Sequence, residues 1–438
     1  MKSVTPLTLR RNFSWTFVGN LVYAGSQWGI LVVLAQIGSP EMVGQFSLSL
    51  AITAPIIMFT NLQLRTVQAT DAKSQFEFQD YFGLRLISIV IALMTITVVA
   101  FTAGYRQEVA LVILVMGLAK VFESISDVTY GLIQQNERMD CISKSLMIKG
   151  ILSIIFVGVS VFLTKSLILG VTGLALARLI SLFIYDIPTG ASIMKGKFQS
   201  SNDTDRFFDL RPLSLISECF RPRWDLQVMT KLAWLSLPLG IVMMLMSVGT
   251  NIPRYFIEHF LGERELGIFA AIFYLNVVGG MVVDALAESA YPRLAKHYAS
   301  SNSKAFQLLL FQLLGIGILL GLFGVLISIF FGKQLLGIIY GAEYAIHSNL
   351  LVWIMLVAAI QYISSFLGHG ITASRYFRAQ IPINLTVTFV TVLTCYFLIP
   401  KMGLIGAAIS LISAEFVQAV ITVGIVLHAL KRIRAIQT

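Results

Sequence analysis

The sequence predicts an all-α integral membrane protein of twelve transmembrane helices, arranged as two lobes of six. Three observations predict it. Hydrophobic residues make up 57% of the 438 residues and charged residues only 12%, against about 25% charged in an ordinary soluble domain. The apolar residues fall into twelve runs, each long enough to cross roughly 30 Å of hydrocarbon. Two short motifs recur at matching places in the first and second six runs. Mean hydropathy is +0.82, and no large soluble domain is visible.

The first run, 13–37, follows Lys2, Arg10 and Arg11. It is too long for the apolar core of a signal peptide and has no small-x-small exit, so it is read as a retained span. Runs at 41–63, 81–103, 107–134, 141–163 and 167–189 complete the N-terminal lobe, residues 1–189. A polar, mixed-charge segment at 190–229 follows, with Asn202-Asp203-Thr204-Asp205-Arg206 and Arg221-Pro222-Arg223, and reads as a cytoplasmic linker. The C-terminal lobe, 230–438, holds runs at 230–257, 264–290, 305–331, 345–373, 379–399 and 402–430. Pro55 and Pro238 interrupt spans two and seven and predict kinks. Gly25-x3-Gly29 and Gly317-x3-Gly321 predict close helix contacts.

Orientation follows from the basic residues, which collect on the cytoplasmic side of membrane proteins. With the N-terminus inside, 24 of the 32 Lys and Arg residues fall in inner segments and 6 in outer ones, leaving Lys120 and Arg178 inside spans. Both termini and the linker are therefore expected in the cytoplasm. The net charge of +10 is spread over the ends of the apolar runs and forms no single patch, so no nucleic-acid partner is expected.

The repeat is short but well placed. Ile37-Gly38-Ser39-Pro40-Glu41-Met42-Val43-Gly44-Gln45-Phe46 follows the first span, and Leu261-Gly262-Glu263-Arg264-Glu265-Leu266-Gly267-Ile268-Phe269 follows the seventh. Gly170-x-x-Gly173-x-Ala175 opens span six, and Gly403-x-x-Gly406-x-Ala408 opens span twelve. An even number of spans inserts both halves the same way up, so the expected relation is a pseudo-two-fold along the membrane normal, with a substrate path between the lobes.

Charges inside spans are costly, about 2.5–3.5 kcal/mol each on insertion scales, so several of them imply a polar interior. Lys120, Glu123 and Asp127 share one face of span four at i, i+3 and i+7. Arg178 and Asp186 lie in span six, Asp284 and Glu288 in span eight, and Glu415 in span twelve. These charges either pair with one another, as Lys120 would with Glu123 or Asp127, or serve a ligand. Arg and Lys are good phosphate ligands, so Lys120 and Arg178 are the candidates for an anionic head group. Glu123, Asp127, Asp284, Glu288 and Glu415 are the candidates for coupling or gating, through Na+, H+ or the membrane potential. Uncharged polar residues within spans (Asn20, Gln27, Asn251, Asn276, Gln361, His369, Asn384) read mainly as interhelical hydrogen-bond partners.

No phosphate-binding loop of the G-x4-G-K-[ST] type and no H-E-x-x-H motif occurs. Cys141, Cys219 and Cys395 have no metal or disulfide spacing. No catalytic residue, metal or cofactor is expected, and the outer loops are too short for an external catalytic domain.

Six strings, in order, carry a resemblance over nearly the whole chain. They are LAQIGSPEMVGQFSLSLAITAPIIMFTNLQLRTVQATD (34–71), GLIQQNERM (131–139), LGERELGIFAAIFYL (261–275), SAYPRLAKHY (289–298), FGKQLLGIIYGAEY (331–344) and MGLIGAAISLISAEF (402–416). The chain resembles the polysaccharide transporters of the multidrug/oligosaccharidyl-lipid/polysaccharide exporter superfamily, the flippases of O-antigen, capsule and exopolysaccharide repeat units. The resemblance implies two six-helix bundles around a central cavity, alternating access, and a location in the bacterial inner membrane. It implies an undecaprenyl-pyrophosphate-linked oligosaccharide as cargo, with membrane lipids, a polysaccharide polymerase and glycosyltransferases as partners. By type and depth, Lys120 and Arg178 fit the basic residues that meet the pyrophosphate in that branch. Arg65 and Arg293 stand in family-like strings at inner ends of spans and either line the cytoplasmic mouth or anchor the helices. A cation-coupled multidrug exporter of the same superfamily is the alternative, and a membrane-bound glycan polymerase or ligase the third reading.

Overall fold

The computed structural model describes residues 7–71, 74–194, 220–300, 302–374 and 376–437. Residues 195–219, the middle of the expected linker, lie outside the described residues, as does Cys219. Among the described residues every regular element is helical. The helices are α1 (Leu9–Ile37), α2 (Pro40–Thr60), the short α3 (Leu64–Thr70), α4 (Phe78–Thr102), α5 (Gln107–Gln135) and α6 (Met139–Thr164). Next come α7 (Leu167–Met194), α8 (Leu226–Leu261), α9 (Glu263–Ala299), α10 (Ser303–Ile339), α11 (Ala342–Ala345), α12 (Ser348–Ala373) and α13 (Phe377–Gln437). Among the described residues eleven stretches are long and apolar enough to cross a membrane.

Two departures from the expected spans have local causes. The eleventh and twelfth runs form one continuous stretch, α13, broken at Gly403 (φ 59°, ψ −138°), a backbone conformation that only glycine adopts without strain. A methyl group on Gly406 would meet the Leu398 carbonyl oxygen, so the two arms fold closely together there. Inside α7, Leu182–Asp186 forms a π-helical turn. Such single turns are frequent at functional positions, and this one ends on a buried aspartate.

The chain divides into two compact units, residues 1–38 with 48–248, and residues 39–47 with 249–438. In the first unit α1 packs along α6, α6 along α7, and α5 against both α4 and α7. Leu64, Tyr81, Val128, Ile133, Ile142 and Leu232 form a buried core near one end of this bundle. In the second unit α12 is central, packed by α9, α10 and α13, with Leu294, Leu313, Phe306, Tyr362 and Phe366 in the core. The outer faces are apolar. On α4, Ile87, Val90, Met94, Val98 and Phe101 form an exposed stripe, which has a favourable solvent only in a lipid bilayer.

The repeated motif has a structural counterpart in the second unit. A methyl on Gly44 would run into the carbonyl oxygen of Glu263, and a methyl on Gly267 into that of Pro40. Each glycine stands four residues into its helix, so the starts of α2 and α9 cross in a reciprocal, self-complementary contact. Gln45 donates to the Glu263 carboxylate at 2.7 Å, and Arg264 bridges Glu41, at 3.0 Å, and Glu343. Of the four glycines in the other two pairs, Gly29, Gly317 and Gly321 meet neighbours closely, while Gly25 has nothing within 4 Å.

Gly44→Ala and Gly267→Ala should each destabilise the protein by at least the ~1–3 kcal/mol typical of overpacking, because the obstacle is backbone. Gly25→Ala should leave stability unchanged or slightly raised. Thermal melting of the three purified variants in detergent measures the difference, and equal melting of all three would refute the crossing.

Candidate functional site

The site is built on one face of α5. Lys120, Glu123, Asp127, Tyr130 and Gln134 recur at three- and four-residue intervals and therefore line one side of the helix. At 1.5 Å per residue, this polar stripe runs about 21 Å along the helix. Charged side chains in a membrane interior need partners, and helices α1, α3, α4, α6 and α7 supply them.

The first rung is Glu123. Its Oε2 accepts from Lys120 Nζ at 2.9 Å and from Arg178 Nη1 at 2.5 Å, and its Oε1 accepts from the Tyr23 hydroxyl at 3.1 Å. One carboxylate thus ties α1, α5 and α7 together. Arg178 is buried, and its Nε has no hydrogen-bond partner. Its partner lies across the helix interface, on α5.

The second rung is buried throughout. Asp186, on the π-helical turn, accepts from Lys149 Nζ at 3.2 Å and from Ser126 Oγ at 2.5 Å, and also from Ser145 Oγ. Lys149 also donates to the Tyr130 hydroxyl at 2.7 Å, and that hydroxyl lies 2.6 Å from Ser145 Oγ. Lys149 and Asp186 are only 1% and 0% exposed. Such a pair is held by the hydrogen bonds around it, since two charges taken out of water gain little from each other alone.

The third rung is Asp127. Arg85, 0% exposed, contacts it at 3.0 Å and also donates to Asn61 Oδ1. Arg65 approaches the other oxygen of Asp127 at 3.8 Å, donates to Gln134 Oε1 at 3.0 Å, and sits 5.5 Å from the Tyr130 ring centroid. The ladder therefore holds five cations (Lys120, Arg178, Lys149, Arg85, Arg65) and three acids (Glu123, Asp127, Asp186), a surplus of two positive charges. Arg85, Lys149 and Arg178 are buried behind it. Lys120, Glu123, Asp127 and Arg65 are the partly open members, at 20–31% exposure.

In the second unit Arg254, on α8, donates to Asn251 Oδ1. Asn276 donates to Gln361 Oε1 at 2.8 Å, and Ser365 donates to Asp284 Oδ1 at 3.1 Å. Asn276 Oδ1 and Glu415 Oε2 are buried without a hydrogen-bond partner. Asp284, Glu288 and Arg293 are exposed on α9, and none of the three makes an ion pair among the described residues. His369 Nδ1 pairs with the Ser365 carbonyl of its own helix at 2.9 Å.

The expected face of α5 is thus present, and Lys120 joins Glu123, while Asp127 is taken by Arg85. The expectation that Lys120 and Arg178 are the two intramembrane cations needs correction. Arg85 and Lys149, which the orientation count places in inner flanks, also lie within helices, as buried as Arg178 and more so than Lys120. Their one sequence signal is that both fall inside the apolar runs at 81–103 and 141–163, and it does not separate them from Lys144, which shares the second run and is only half-buried. Tyr23, Tyr130, Ser126 and Ser145 carry no such signal, since isolated tyrosines and serines are common in apolar helices. Among the described residues no group of three His, Cys, Asp or Glu side chains could hold a metal ion.

Comparison with known proteins places the chain in a family. A family model described as polysaccharide biosynthesis protein matches residues 9–298. The capsular polysaccharide biosynthesis protein CapF of Staphylococcus aureus is 29% identical over 409 residues, covering 93% of this chain and 96% of that protein. Among solved structures, the lipid II flippase MurJ in an inward closed conformation matches with a TM-score of 0.70 at 12% identity, covering 96% of this chain and 92% of that one. An inward-facing multidrug resistance MATE family transporter of the MOP superfamily matches with a TM-score of 0.68 at 13% identity, over 96% and 99% of the two chains. At these identities the two structures show a common fold. With its long apolar helices, the chain is a multi-pass membrane protein.

Lys149→Met leaves the Asp186 charge buried without its cation and should cost about 3–5 kcal/mol. The double variant Lys149→Met/Asp186→Asn removes both charges and should recover most of that loss. Melting temperatures of the two purified variants measure this, and equal destabilisation would show that the pair is not the stabilising unit.

Proposed function

The chain belongs to the polysaccharide biosynthesis protein family, and from that premise we propose that it is a flippase of the bacterial inner membrane. Its cargo is an undecaprenyl-pyrophosphate-linked oligosaccharide repeat unit, moved from the cytoplasmic to the outer leaflet by alternating access. The observation that carries the reading is the surplus of two positive charges on the α5 ladder, at depth in an apolar bundle. A diphosphate is the complement of such a surplus, and Lys120 and Arg65, the partly open cations, are the residues that meet it, with Arg178 and Arg85 behind them. The prenyl tail stays in the bilayer, no bond is made or broken, and the protein is no enzyme.

In this reading α13 crosses the membrane twice, turning at Gly403, so there are twelve crossings in two lobes. The Lys and Arg bias puts both termini in the cytoplasm. Arg293, exposed near the inner end of α9, serves the cytoplasmic mouth. Glu415 is the coupling residue that the geometry favours, because a buried carboxylate oxygen without a partner is stabilised by taking up a proton or a sodium ion. Asp284 and Glu288 act in gating, and the membrane potential adds to the driving force. Glycosyltransferases supply the cargo and a polymerase consumes it. The acids of the second unit also suit an exporter of cationic drugs, but the positive surplus of the first unit repels that cargo.

Reversing the charge of Arg178 sets two carboxylates in contact at Glu123, so milder changes make the cleaner test. Lys120→Gln/Arg65→Gln should lower export at least tenfold with the melting temperature little changed. Lipid-linked single repeat units should then accumulate on the cytoplasmic face, measured by their inaccessibility to external glycosidase in spheroplasts. Wild-type export, or drug sensitivity with intact surface glycan, would count against the reading.

Glu415→Gln should abolish the response of transport in proteoliposomes to an imposed proton or sodium gradient. Exchange of cargo in the absence of a gradient should persist. A variant that still responds would exclude Glu415 as the coupling site.

A further inference from the structure

A second basic site lies apart from the ladder, where α1 enters the membrane. A cavity of about 480 Å³ opens there, lined by Thr8, Arg10, Arg11, Ser14, Trp15 and Val18. Arg10 and Arg11 make no ion pair among the described residues, and the first turn of α1 contains no acid. On α6, Lys144 holds its ammonium 5.4 Å from the centre of the Trp15 ring, bringing a third cation to the same place. The nearby basic residue Arg138 is already committed, in two 2.9 Å hydrogen bonds to Asp140. Beside the cavity α1 is fixed in place, because Ser143 Oγ donates to the Trp15 carbonyl at 2.7 Å and Asn12 Nδ2 to the Glu137 carbonyl at 2.9 Å.

The apolar surroundings say what kind of anion fits. Arg10, Ser14, Phe17, Val18 and Leu21 recur at helical intervals and share one face of α1. Phe17, Val18 and Leu21 are exposed, and Val18 both lines the cavity and begins this apolar strip. The face changes from cationic to apolar over about 16 Å of helix. α1 is 29 residues long, or about 43 Å, so it exceeds the hydrocarbon thickness of roughly 30 Å and its ends reach the head-group layer. An occupant with a negative head and a hydrocarbon tail, lying along the helix, matches every part of this surface. A soluble anion would leave the apolar strip unused, and a zwitterionic lipid would leave the arginine pair uncompensated.

We propose that this cavity binds one anionic glycerophospholipid of the surrounding leaflet, with its phosphate on Arg10 and Arg11 beside Lys144 and one acyl chain along Phe17, Val18 and Leu21. The site does not depend on the nature of the transported cargo. Bound there, the lipid braces α1 against α6, the same α1 that carries Tyr23 to the Glu123 carboxylate.

The test uses the full chain, delipidated in detergent and titrated with phosphatidylglycerol, phosphatidylcholine, polyprenyl phosphate or inorganic phosphate, with bound lipid counted by native mass spectrometry. The wild type should retain one phosphatidylglycerol at least tenfold more strongly than phosphatidylcholine, and its melting temperature should rise on binding. Arg10→Gln/Arg11→Gln should lose both effects, and Val18→Ser/Leu21→Ser should weaken retention while inorganic phosphate remains without effect. Equal retention by the arginine variant would overturn the proposal. So would displacement of phosphatidylglycerol by an equimolar amount of polyprenyl phosphate, which would assign the site to the cargo carrier. A thermal shift with inorganic phosphate equal to that with the lipid would overturn it as well. The variants touch no residue of the ladder, so a failure here leaves the flippase reading intact.

Discussion

Every charge placed in the hydrocarbon interior must find another charge or a dense set of dipoles, and the first unit is arranged around that constraint. Glu123 illustrates it. A lone carboxylate at this depth would not remain ionised, yet here it receives two cations and a phenol from three different helices. The packing order of the unit follows from such rungs. α7 is tied to α5 by Arg178, α6 to α7 by Lys149 and Asp186, and α4 to α5 by Arg85 and Asp127. Apolar contact alone does not drive helix association in lipid, because the alternative neighbours are equally apolar. The ion ladder therefore supplies registration that the apolar faces cannot.

Small residues supply the rest. Close backbone contact substitutes for hydrophobic burial where lipid is the competitor, and the reciprocal contact of Gly44 with Glu263 and Gly267 with Pro40 is its clearest instance. The same logic explains the second repeated motif. Gly173 brings the start of α7 to within 2.8 Å, for an added methyl, of the Phe156 carbonyl on α6, and Gly406 does the same toward Leu398 within α13. In both halves, the glycines stand where a helix turns back onto the one before it.

The fold was legible because a long apolar run has few physical outcomes. The ends were less so. α9 extends to Ala299 and α8 begins at Leu226, since a helix does not stop where the hydrocarbon does and polar sequence continues it at no cost. At the site, Lys120, Glu123 and Asp127 were legible because their spacing puts them on one face. Arg178 was legible as a costly charge, but its partner was not, because pairing across helices depends on packing order. Arg85 and Lys149 sit seven and ten residues into their helices, where sequence alone does not separate a flank that faces water from an interior that faces a carboxylate. Only the position of Asn61, Asp127 and Asp186 opposite them shows their role.

The composition of the ladder bears on how such a site could release what it binds. Five cations without acids would be an unstable apo state through mutual repulsion, and would hold a diphosphate too firmly to let it go. Three acids placed among them keep the bundle folded when empty and leave a surplus of two. Under the proposed flippase reading, a diphosphate arriving at Lys120 and Arg65 would compete with Glu123 and Asp127 for partners already in place, so part of its binding free energy would be offset by contacts it displaces. Its departure would let those contacts re-form. Affinity is set by a difference between two sets of ion pairs rather than by either set alone. The buried pair of Lys149 and Asp186, closed to solvent, would take no part in such an exchange and would hold the helices in register.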